Sequence, residues 1–287
     1  MQATDFPGFY QSADKLSGDA QKHFFSALLG NLALLVMAAV LSVINYPHWV
    51  CAVAQVLLLL GALASSVYLA WKRPERVWYS CRAVAESIKT MTWRYVSRAE
   101  PFDKNDSADR QLLLDRLNEV VRQNPGVSEK SISHISAPPI TIAMKQLRSG
   151  DFATRCDTYI KFRINDQLEW YKRKAQFNAK AAKWFFTALI LANVFAVSCA
   201  AIKIANLQFQ YFPTDVLIAI AAGLLTWMQA KRFTELSASY ALTANEIVLI
   251  REEAESLKDE EGLSKFVGDA ENAFSREHTQ WEARKDS

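Results

Sequence analysis

The chain has 287 residues, with 33 basic and 30 acidic side chains and a formal net charge of +3. This near balance gives no electrostatic basis for nucleic-acid binding, and 9 glycines with 8 prolines are too few for a collagen-like, disordered or turn-rich all-β chain. We therefore expect a helical protein without a nucleic-acid partner. Its mean hydropathy of −0.03 is typical of a soluble protein, but the apolar residues are segregated along the chain.

Four apolar segments predict membrane-spanning helices, at residues 24–44, 50–71, 184–202 and about 213–230. The first three are uncharged, and each has about 20 residues, which at roughly 1.5 Å per residue matches the hydrocarbon core of a bilayer. The fourth is uncharged only over 216–230, so it needs part of the preceding loop, or local bilayer thinning, to cross.

Two other interpretations of these segments are disfavoured. Apolar runs in the buried helices of soluble proteins usually have about 10–14 residues, and three uncharged runs of about 20 residues are therefore unlike them. A cleaved signal peptide does not fit the first run, because Asp5, Asp14 and Asp19 precede it and a second span follows at once. We therefore expect a multi-pass membrane protein in which the lipid bilayer is the main partner.

The basic residues that flank the spans predict their orientation. Lys and Arg residues lie at the outer ends of both hairpins: Lys22, Lys72, Arg73, Arg76, Lys180, Lys183, Lys231 and Arg232. The connector at 45–49 has no Lys or Arg, and the other connector has only Lys203. By the positive-inside rule, both termini and the central segment are predicted to be cytosolic.

An internal repeat relates the two halves of the chain. At an offset of about 161 residues, Tyr10 aligns with Tyr171 and Lys22 with Lys183; after the hairpins the offset falls to about 159, which aligns Lys72-Arg73 with Lys231-Arg232. Both copies enter and leave on the same side, so they are parallel repeats rather than inverted ones. The predicted fold is an all-α integral membrane protein with two parallel repeats, each a transmembrane hairpin flanked by long amphipathic cytosolic helices.

Four regions follow from the repeat: a first unit at 1–102, a cytosolic helical connector at 103–157, a second unit at 158–260 and a charged C-terminal tail at 261–287. In the connector we expect helices at 107–124 and 140–148, with a loop at 124–139 where Pro, Gly and Ser cluster. The tail is expected to be a frayed amphipathic helix. Because Pro and Gly are missing between Asp157 and Ile202, one helix is predicted to continue through the third span.

Apolar stripes with coiled-coil spacing follow each hairpin and precede the third span. One runs from Val77 through Val84 and Ile88 to Tyr95, the second from Leu236 through Tyr240 and Ile247, and the third from Ile160 to Ala175. Two interpretations remain open: the stripes pack against other helices of the same chain, or they also pair between subunits.

The sequence carries no enzyme signature. Its four histidines are isolated, its four cysteines have no CxxC spacing, and no Walker, GxGxxG or GxSxG motif is present. We therefore predict that the protein is not an enzyme and that it has no metal, cofactor or catalytic residue.

Weakly polar and small residues interrupt the apolar spans. They allow close helix packing, which is one interpretation, or they line a pore when several subunits assemble, which is the other. Because the uncharged runs contain no Asp, Glu, Lys or Arg, a proton relay is disfavoured but passive permeation is not. The candidate residues are Asn31, Ser42, Gln55, Ser66, Asn193, Gly223 and Thr226.

The helices next to the spans carry two motifs, W-x3-R-x2-AE-x2-K-x3-W in the first unit and Y-x3-R-x2-DQ-x2-WY-x2-K in the second. In this chain they are Trp78, Arg82, Glu86, Lys89 and Trp93, then Tyr159, Arg163, Asp166, Gln167, Trp170, Tyr171 and Lys174, with Tyr240 and Glu246 further on. These motifs resemble those of the SLATT domains, the "SMODS and SLOG-associating two-transmembrane effector" families of bacteria, in tandem. The resemblance extends to about residue 260.

This resemblance implies a bacterial inner-membrane effector that perforates the membrane in antiviral defence when a nucleotide-synthesising or nucleotide-sensing partner triggers it. In this setting we expect a homo-oligomer, with Arg163 contacting Asp166 and with Trp93, Trp170 and Tyr171 as anchors at the membrane interface. The alternatives are a non-enzymatic membrane scaffold that recruits a cytosolic partner through its coiled-coil-like helices, and a membrane enzyme with an unrecognised site.

Overall fold

A computed structural model describes residues 1–131, 137–205 and 212–282, and the side chains up to residue 275. The described residues form helices and connecting turns, without a strand among them. The helices in chain order are α1 (Gly8–Ile44), α2 (Trp49–Lys72), α3 (Pro74–Val96), α4 (Asp106–Gln123), α5 (Pro125–Ser131), α6 (Ile142–Ser149), α7 (Phe152–Tyr159), α8 (Asp166–Ala205), α9 (Thr214–Lys231), α10 (Phe233–Glu253) and α11 (Glu260–Glu282). Short 3-10 turns lie at Ala3–Asp5 and Ala254–Ser256.

Four helical stretches are long and apolar enough to cross a membrane, which confirms the four predicted spans. They lie within Gly8–Ile44, Trp49–Val96, Phe152–Ala205 and Thr214–Ser256. The third stretch contains α7 and α8, which are joined by a π-helical segment, Ile160–Asn165. The helix predicted to continue from Asp157 to Ile202 is therefore confirmed, with a π segment near its start.

The helices group into two compact units. We call residues 1–21, 74–172 and 241–287 the polar unit, and residues 22–73 and 173–240 the membrane unit. Each sequence repeat contributes to both units, so the repeat boundaries do not coincide with the structural ones. The reason is that an amphipathic helix buries its apolar stripe only against other helices, and these come from both repeats.

The core of the polar unit is built mainly by α3 and the C-terminal helix α11. The apolar residues of α11 repeat every three or four positions and are buried: Leu263, Phe266, Val267, Ala270 and Phe274. The expectation of a frayed tail is therefore wrong for residues 260–275, because this stripe has a matching helix to pack on.

The apolar stripe of α3 is also buried inside the polar unit, with Cys81, Val84, Ile88 and Tyr95 almost fully enclosed. This arrangement favours packing within the chain over pairing between subunits for that stripe. The predicted helices at 107–124 and 140–148 are confirmed as α4 and α6. The predicted loop at 124–139 contains instead the short helix α5, which begins at Pro125, because proline is well suited to the first helical position. Residues 132–136 of that segment lie outside the described residues.

In the membrane unit, the structure preserves the repeat in its backbone. Helix α2 ends at Lys72 and α9 ends at Lys231, and the next residues, Arg73 and Arg232, cap the two helices in the left-handed conformation, with φ of 44° and 51°. Their N–H groups donate to Leu69 O at 3.1 Å and to Met228 O at 2.8 Å. The two residues are the ones that the offset of about 159 aligns, so the same helix end occurs in both copies.

Candidate functional site

A buried ion pair between Arg163 and Glu271 lies in the core of the polar unit. Arg163 Nε donates to Glu271 Oε1 and Arg163 Nη2 to Glu271 Oε2, both at 2.7 Å. The two side chains are 1% and 0% exposed. Arg163 comes from the π segment before α8, and Glu271 comes from α11. The pair therefore holds the C-terminal helix against the base of the helix that contains the third span.

Two hydroxyl groups complete the coordination of the Glu271 carboxylate. Thr90 Oγ1 of α3 donates to Oε2 at 2.8 Å, and Tyr159 OH donates to Oε1 at 2.9 Å. On the far side, the Arg163 guanidinium lies 4.5 Å from the centre of the Phe274 ring. Four hydrogen bonds to one buried carboxylate offset much of the cost of removing it from water.

The charge states in this cluster are held by their surroundings. Burial by itself would lower the pKa of Arg163. The charge of the Glu271 carboxylate and its hydrogen bonds have the opposite effect and outweigh burial, so the pKa of Arg163 is raised above its usual value. Burial, followed by the negative charge of Glu271, raises the pKa of Tyr159 well above its usual value. Arg163 is therefore charged and Tyr159 neutral throughout the physiological pH range, which suits a permanent link between helices.

A second charged cluster lies one to two helical turns earlier on α3. Arg82 Nη2 contacts Glu86 Oε1 at 2.7 Å, and Lys89 Nζ lies 3.8 Å from Glu86 Oε2. Arg82 Nη1 also contacts Asp14 Oδ1 of α1 at 3.4 Å. The Glu86 side chain is 4% exposed, so its charge depends on these two cations.

Aromatic rings join the clusters to the apolar core. Trp93 is 1% exposed, and its ring packs edge-on against Phe6 and Tyr159, with ring centres 6.0 and 5.6 Å apart. Tyr171 is also buried, at 3% exposed. The expectation that Trp93 and Tyr171 anchor the chain at the membrane interface is therefore wrong, because their apolar surface is already covered inside the polar unit. Trp170 is partly exposed and lies edge-on to Tyr171.

In the membrane unit, the candidate residues of the first hairpin partly come together. Asn31 Nδ2 donates to Ser66 Oγ at 2.7 Å, and Ser65 Oγ donates to Ala27 O at 3.0 Å. Gly61 allows close approach there, because a Cβ at its position would lie 3.2 Å from Leu34 Cδ1. These contacts are typical of the packing interpretation for Asn31 and Ser66.

The other span candidates do not converge. Ser42, Asn193 and Thr226 are exposed, while Gln55 and Gly223 are partly exposed. Asn193 Nδ2 donates to Leu189 O at 2.8 Å, and Thr226 Oγ1 donates to Ala222 O at 2.9 Å, each within its own helix. These side chains therefore face outward from the membrane unit. No group of three or more His, Cys, Asp or Glu residues that could hold a metal ion occurs in the described part of the chain.

Comparison with known families decides the classification. Residues 7–156 match the family described as SMODS and SLOG-associating 2TM effector domain 3, and residues 159–281 match SMODS and SLOG-associating 2TM effector domain 1. The chain belongs to the SLATT family. It carries two SLATT domains in tandem, and the second match includes α11, whereas the motif resemblance ended near residue 260. No curated protein and no solved structure matches this chain.

Six of the SLATT motif residues meet in or beside the two charged clusters, and the rest lie elsewhere. The clustered residues are Arg82, Glu86, Lys89, Trp93, Tyr159 and Arg163. Asp166 is exposed, and Arg163 uses two nitrogens on Glu271 instead, so the expected contact between Arg163 and Asp166 is wrong. The reason is that the buried Glu271 carboxylate, in a low-dielectric core, attracts the guanidinium more strongly than the solvent-exposed Asp166 carboxylate does.

The remaining motif residues lie elsewhere in the polar unit or in the membrane unit. The Trp78 ring stacks on Tyr79, with centres 4.6 Å apart, and its carbonyl accepts from Ser17 Oγ at 3.4 Å. Gln167 and Glu246 are partly exposed in the polar unit, whereas Lys174 is exposed and Tyr240 buried in the membrane unit.

Sequence reasoning missed Glu271 and Thr90, and also a second buried arginine of this SLATT protein, Arg148. Its guanidinium donates to Asp109 Oδ2 at 2.6 Å, Asp106 Oδ1 at 2.9 Å, Tyr95 O at 2.5 Å and Phe102 O at 3.1 Å. It thereby fixes the turn after α3 against α4 and α6. The apolar spacing around Glu271 was the signal that could have predicted a packed α11; nothing in the sequence around Arg148 indicates its burial.

Proposed function

We propose that this SLATT protein is an oligomeric effector of the bacterial inner membrane, and that its spans open a pore in nucleotide-signalled or antiphage defence. The termini and the polar unit lie in the cytosol, where a nucleotide-sensing or nucleotide-synthesising protein triggers opening. Membership of a family of two-transmembrane effector domains supports the effector role. The pore and the oligomer are supported by the polar residues on the outside of the spans.

Asn193 is the observation that carries this proposal. It lies at the middle of the span 184–202 and is exposed on the surface of the membrane unit. One amide N–H donates to Leu189 O, while the second N–H and the amide oxygen have no hydrogen-bond partner in the described part of the chain. A polar group left without a partner in hydrocarbon costs several kcal/mol. A second copy, or water in a pore between copies, removes that cost.

The uncharged spans fit passive permeation. Runs 24–44, 50–71, 184–202 and 216–230 contain no Asp, Glu, Lys or Arg, the residues that proton relays and ion pumps use. Exposed Ser42 and Thr226 add hydroxyl groups to the outer surface of the spans. An assembly that turned these groups inward would line a pore of weak polarity.

Dye release from liposomes tests this proposal. The full chain is reconstituted with an entrapped dye at increasing protein density, and chemical cross-linking reports the oligomer in the same samples. We expect release to rise more steeply than in proportion to density, because several copies form one pore. Asn193→Leu should reduce both cross-linking and release, while Asn193→Gln should retain them.

Val194→Leu, at an exposed apolar neighbour on the same span, is the matched control and should behave like the original chain. If cross-linked oligomers form but neither dye nor potassium ions are released at any density, the pore is excluded. If Asn193→Leu assembles and releases dye normally, Asn193 does not contribute to assembly.

The scaffold remains the second candidate, and two leucines of α10 favour it. Leu242 and Leu249 lie seven residues apart and are 63% and 69% exposed, which is the spacing of a coiled-coil seam. Ile247, by contrast, is 1% exposed, so a charged side chain introduced there would disrupt the core. Leu242→Lys with Leu249→Lys should instead abolish capture of a helical partner and leave dye release unchanged. If the original chain captures no helical partner, the scaffold is excluded, and if capture persists in the double variant, these two leucines are not the docking surface.

A further inference from the structure

An open cleft in the polar unit, distinct from the two charged clusters, is lined by α3, the end of α4 and α5. It has a volume of about 300 Å³. Arg76 and Ser80 line one side, and Gln123, Asn124, Gly126 and Lys130 line the other. Among the described residues that line it none is acidic, so this lining carries two positive charges without a compensating carboxylate.

The cations of this cleft are available to a ligand. Arg76 and Lys130 are exposed, and neither side chain forms an ion pair or hydrogen bond in the described part of the chain. The hydroxyl of Ser80, which is partly buried, likewise has no hydrogen-bond partner among the described residues. Most other charges in the polar unit core are paired, as at Arg82, Arg148 and Arg163. Two cations and a hydroxyl around one cavity form a suitable site for a phosphate group.

Chain connectivity places Arg76 close to the bilayer surface. Arg76 is four residues after Lys72, where α2 and the second span end. Four residues of chain reach at most about 14 Å, and the polar headgroup layer of each leaflet extends several ångströms beyond the hydrocarbon. An arginine side chain starting within this distance of the span can contact a lipid phosphate.

From these observations we propose that the cleft binds the headgroup phosphate of an anionic phospholipid, with Arg76 and Lys130 as the charged contacts and Ser80 as a hydrogen-bond donor. The proposal is independent of pore formation. Binding of a lipid here attaches α5 and the end of α4 to the bilayer surface in addition to the covalent connection through α2.

Native mass spectrometry of the full chain, released from neutral detergent, tests the proposal. The protein is titrated with dioleoyl phosphatidylglycerol, with dioleoyl phosphatidylcholine and with inorganic phosphate. We expect the first molecule of phosphatidylglycerol to bind at least about tenfold more tightly than phosphatidylcholine. In Arg76→Gln with Lys130→Gln, affinity should fall about 30-fold, since each cation near a lipid surface contributes about fivefold.

The matched control is Lys145→Gln with Lys265→Gln, which removes two exposed charges elsewhere in the polar unit and should leave affinity within about twofold of the original. Gly126→Glu is a second variant: a Cβ at the exposed Gly126 meets no atom within 4 Å, so a side chain can begin there without a clash, and the added negative charge should also reduce phosphatidylglycerol binding. Thermal unfolding in the same detergent confirms that each variant is folded.

Three results would overturn the proposal. The first is equal affinity for the two lipids. The second is the same loss of binding in the control as in the cleft variant, which indicates attraction by overall charge. The third is inorganic phosphate binding as tightly as phosphatidylglycerol, because the cleft would then be a site for soluble phosphate compounds rather than for lipid.

Discussion

Arg163 and Glu271 are 108 residues apart in the sequence, yet their side chains form a two-point ion pair with both contacts at 2.7 Å. The pair joins the π segment that leads into α8 to the C-terminal helix α11. π segments frequently occur at functional positions in helices, and this one continues into the third membrane span. Displacement of α11 would require both charges to be separated or exposed to water, so the pair sets a threshold for any rearrangement at this point.

Removal of Glu271 should be strongly destabilising. Glu271→Ala leaves the Arg163 guanidinium buried without a counter-charge, and such changes typically cost about 3–5 kcal/mol of unfolding free energy. Thermal unfolding of the purified protein in detergent measures the effect. Asp269→Ala, at an exposed position of the same helix, should cost less than about 0.5 kcal/mol.

A double replacement separates the cost of an unpaired charge from the value of the pair. Arg163→Met with Glu271→Leu removes both charges while retaining apolar volume, and should recover most of the stability lost in Glu271→Ala. If the double variant is as unstable as Glu271→Ala, the hydrogen bonds of Thr90 and Tyr159 are the main contribution instead.

Arg148 should be needed for the turn between α3 and α4. Arg148→Met removes its contacts with Asp106, Asp109 and two backbone carbonyls and leaves Asp109, which is 1% exposed, without a counter-charge. We expect a loss of about 3–5 kcal/mol, measured as above, and faster proteolysis within residues 97–106. Lys145→Met, exposed on the same helix, should have little effect; equal protease sensitivity in both variants would contradict the assignment.

Asn31 and Ser66 should be energetically coupled in the first hairpin. A double-mutant cycle with Asn31→Ala and Ser66→Ala should give a coupling of about 0.6 kcal/mol, and no more than about 1.7 kcal/mol, the range known for hydrogen bonds between membrane helices. Unfolding in mixed micelles provides the free energies. Asn31→Ala with Ser42→Ala is the control cycle and should be additive, and additivity in both cycles would show that the hydrogen bond is not significant.

The left-handed backbone at Arg73 predicts that two substitutions there differ in stability. Arg73→Gly and Arg73→Val both lose the arginine side chain, so the difference between them reports on the backbone. A side chain with a Cβ costs about 1–2 kcal/mol in this conformation, and a β-branched one is especially unfavourable there. The glycine variant should therefore be at least about 1 kcal/mol more stable than the valine variant, as judged by unfolding in detergent. The same order should hold at Arg232, whereas Ala70→Gly, inside α2, should lower stability.

Cys81 should make the polar unit sensitive to alkaline pH. Burial raises the pKa of its thiol to about 11, with a smaller opposing effect of Lys130. Below about pH 8.5 the thiol is protonated in both states; above it, only the unfolded chain releases the proton, so stability falls as pH rises towards 11. Melting temperatures measured at about pH 8 to 10 should fall less steeply for Cys81→Ala. Parallel curves would show that Cys81 does not contribute.

Properties that depend only on residues close together in the sequence were predictable from it. The four spans follow from runs of uncharged residues, and the helix ends at Arg73 and Arg232 were aligned by the repeat before their backbone conformation was known. Six of the motif residues lie in or beside the charged clusters. The partner of Arg163 was predicted incorrectly because sequence spacing identifies only neighbours on the same helix, such as Asp166, whereas Glu271 reaches it from another helix.

The sequence by itself determined that this is a tandem SLATT protein with four helices able to cross a membrane, because span length and polarity are local properties of the chain. Only the tertiary structure decided that α11 belongs to the core, that both repeats contribute to each compact unit and that Glu271 and Arg148 are buried at the centre of hydrogen-bond networks. The physical reason is that a buried charge is stable only with its partners in place, and these partners come from helices far apart in the sequence.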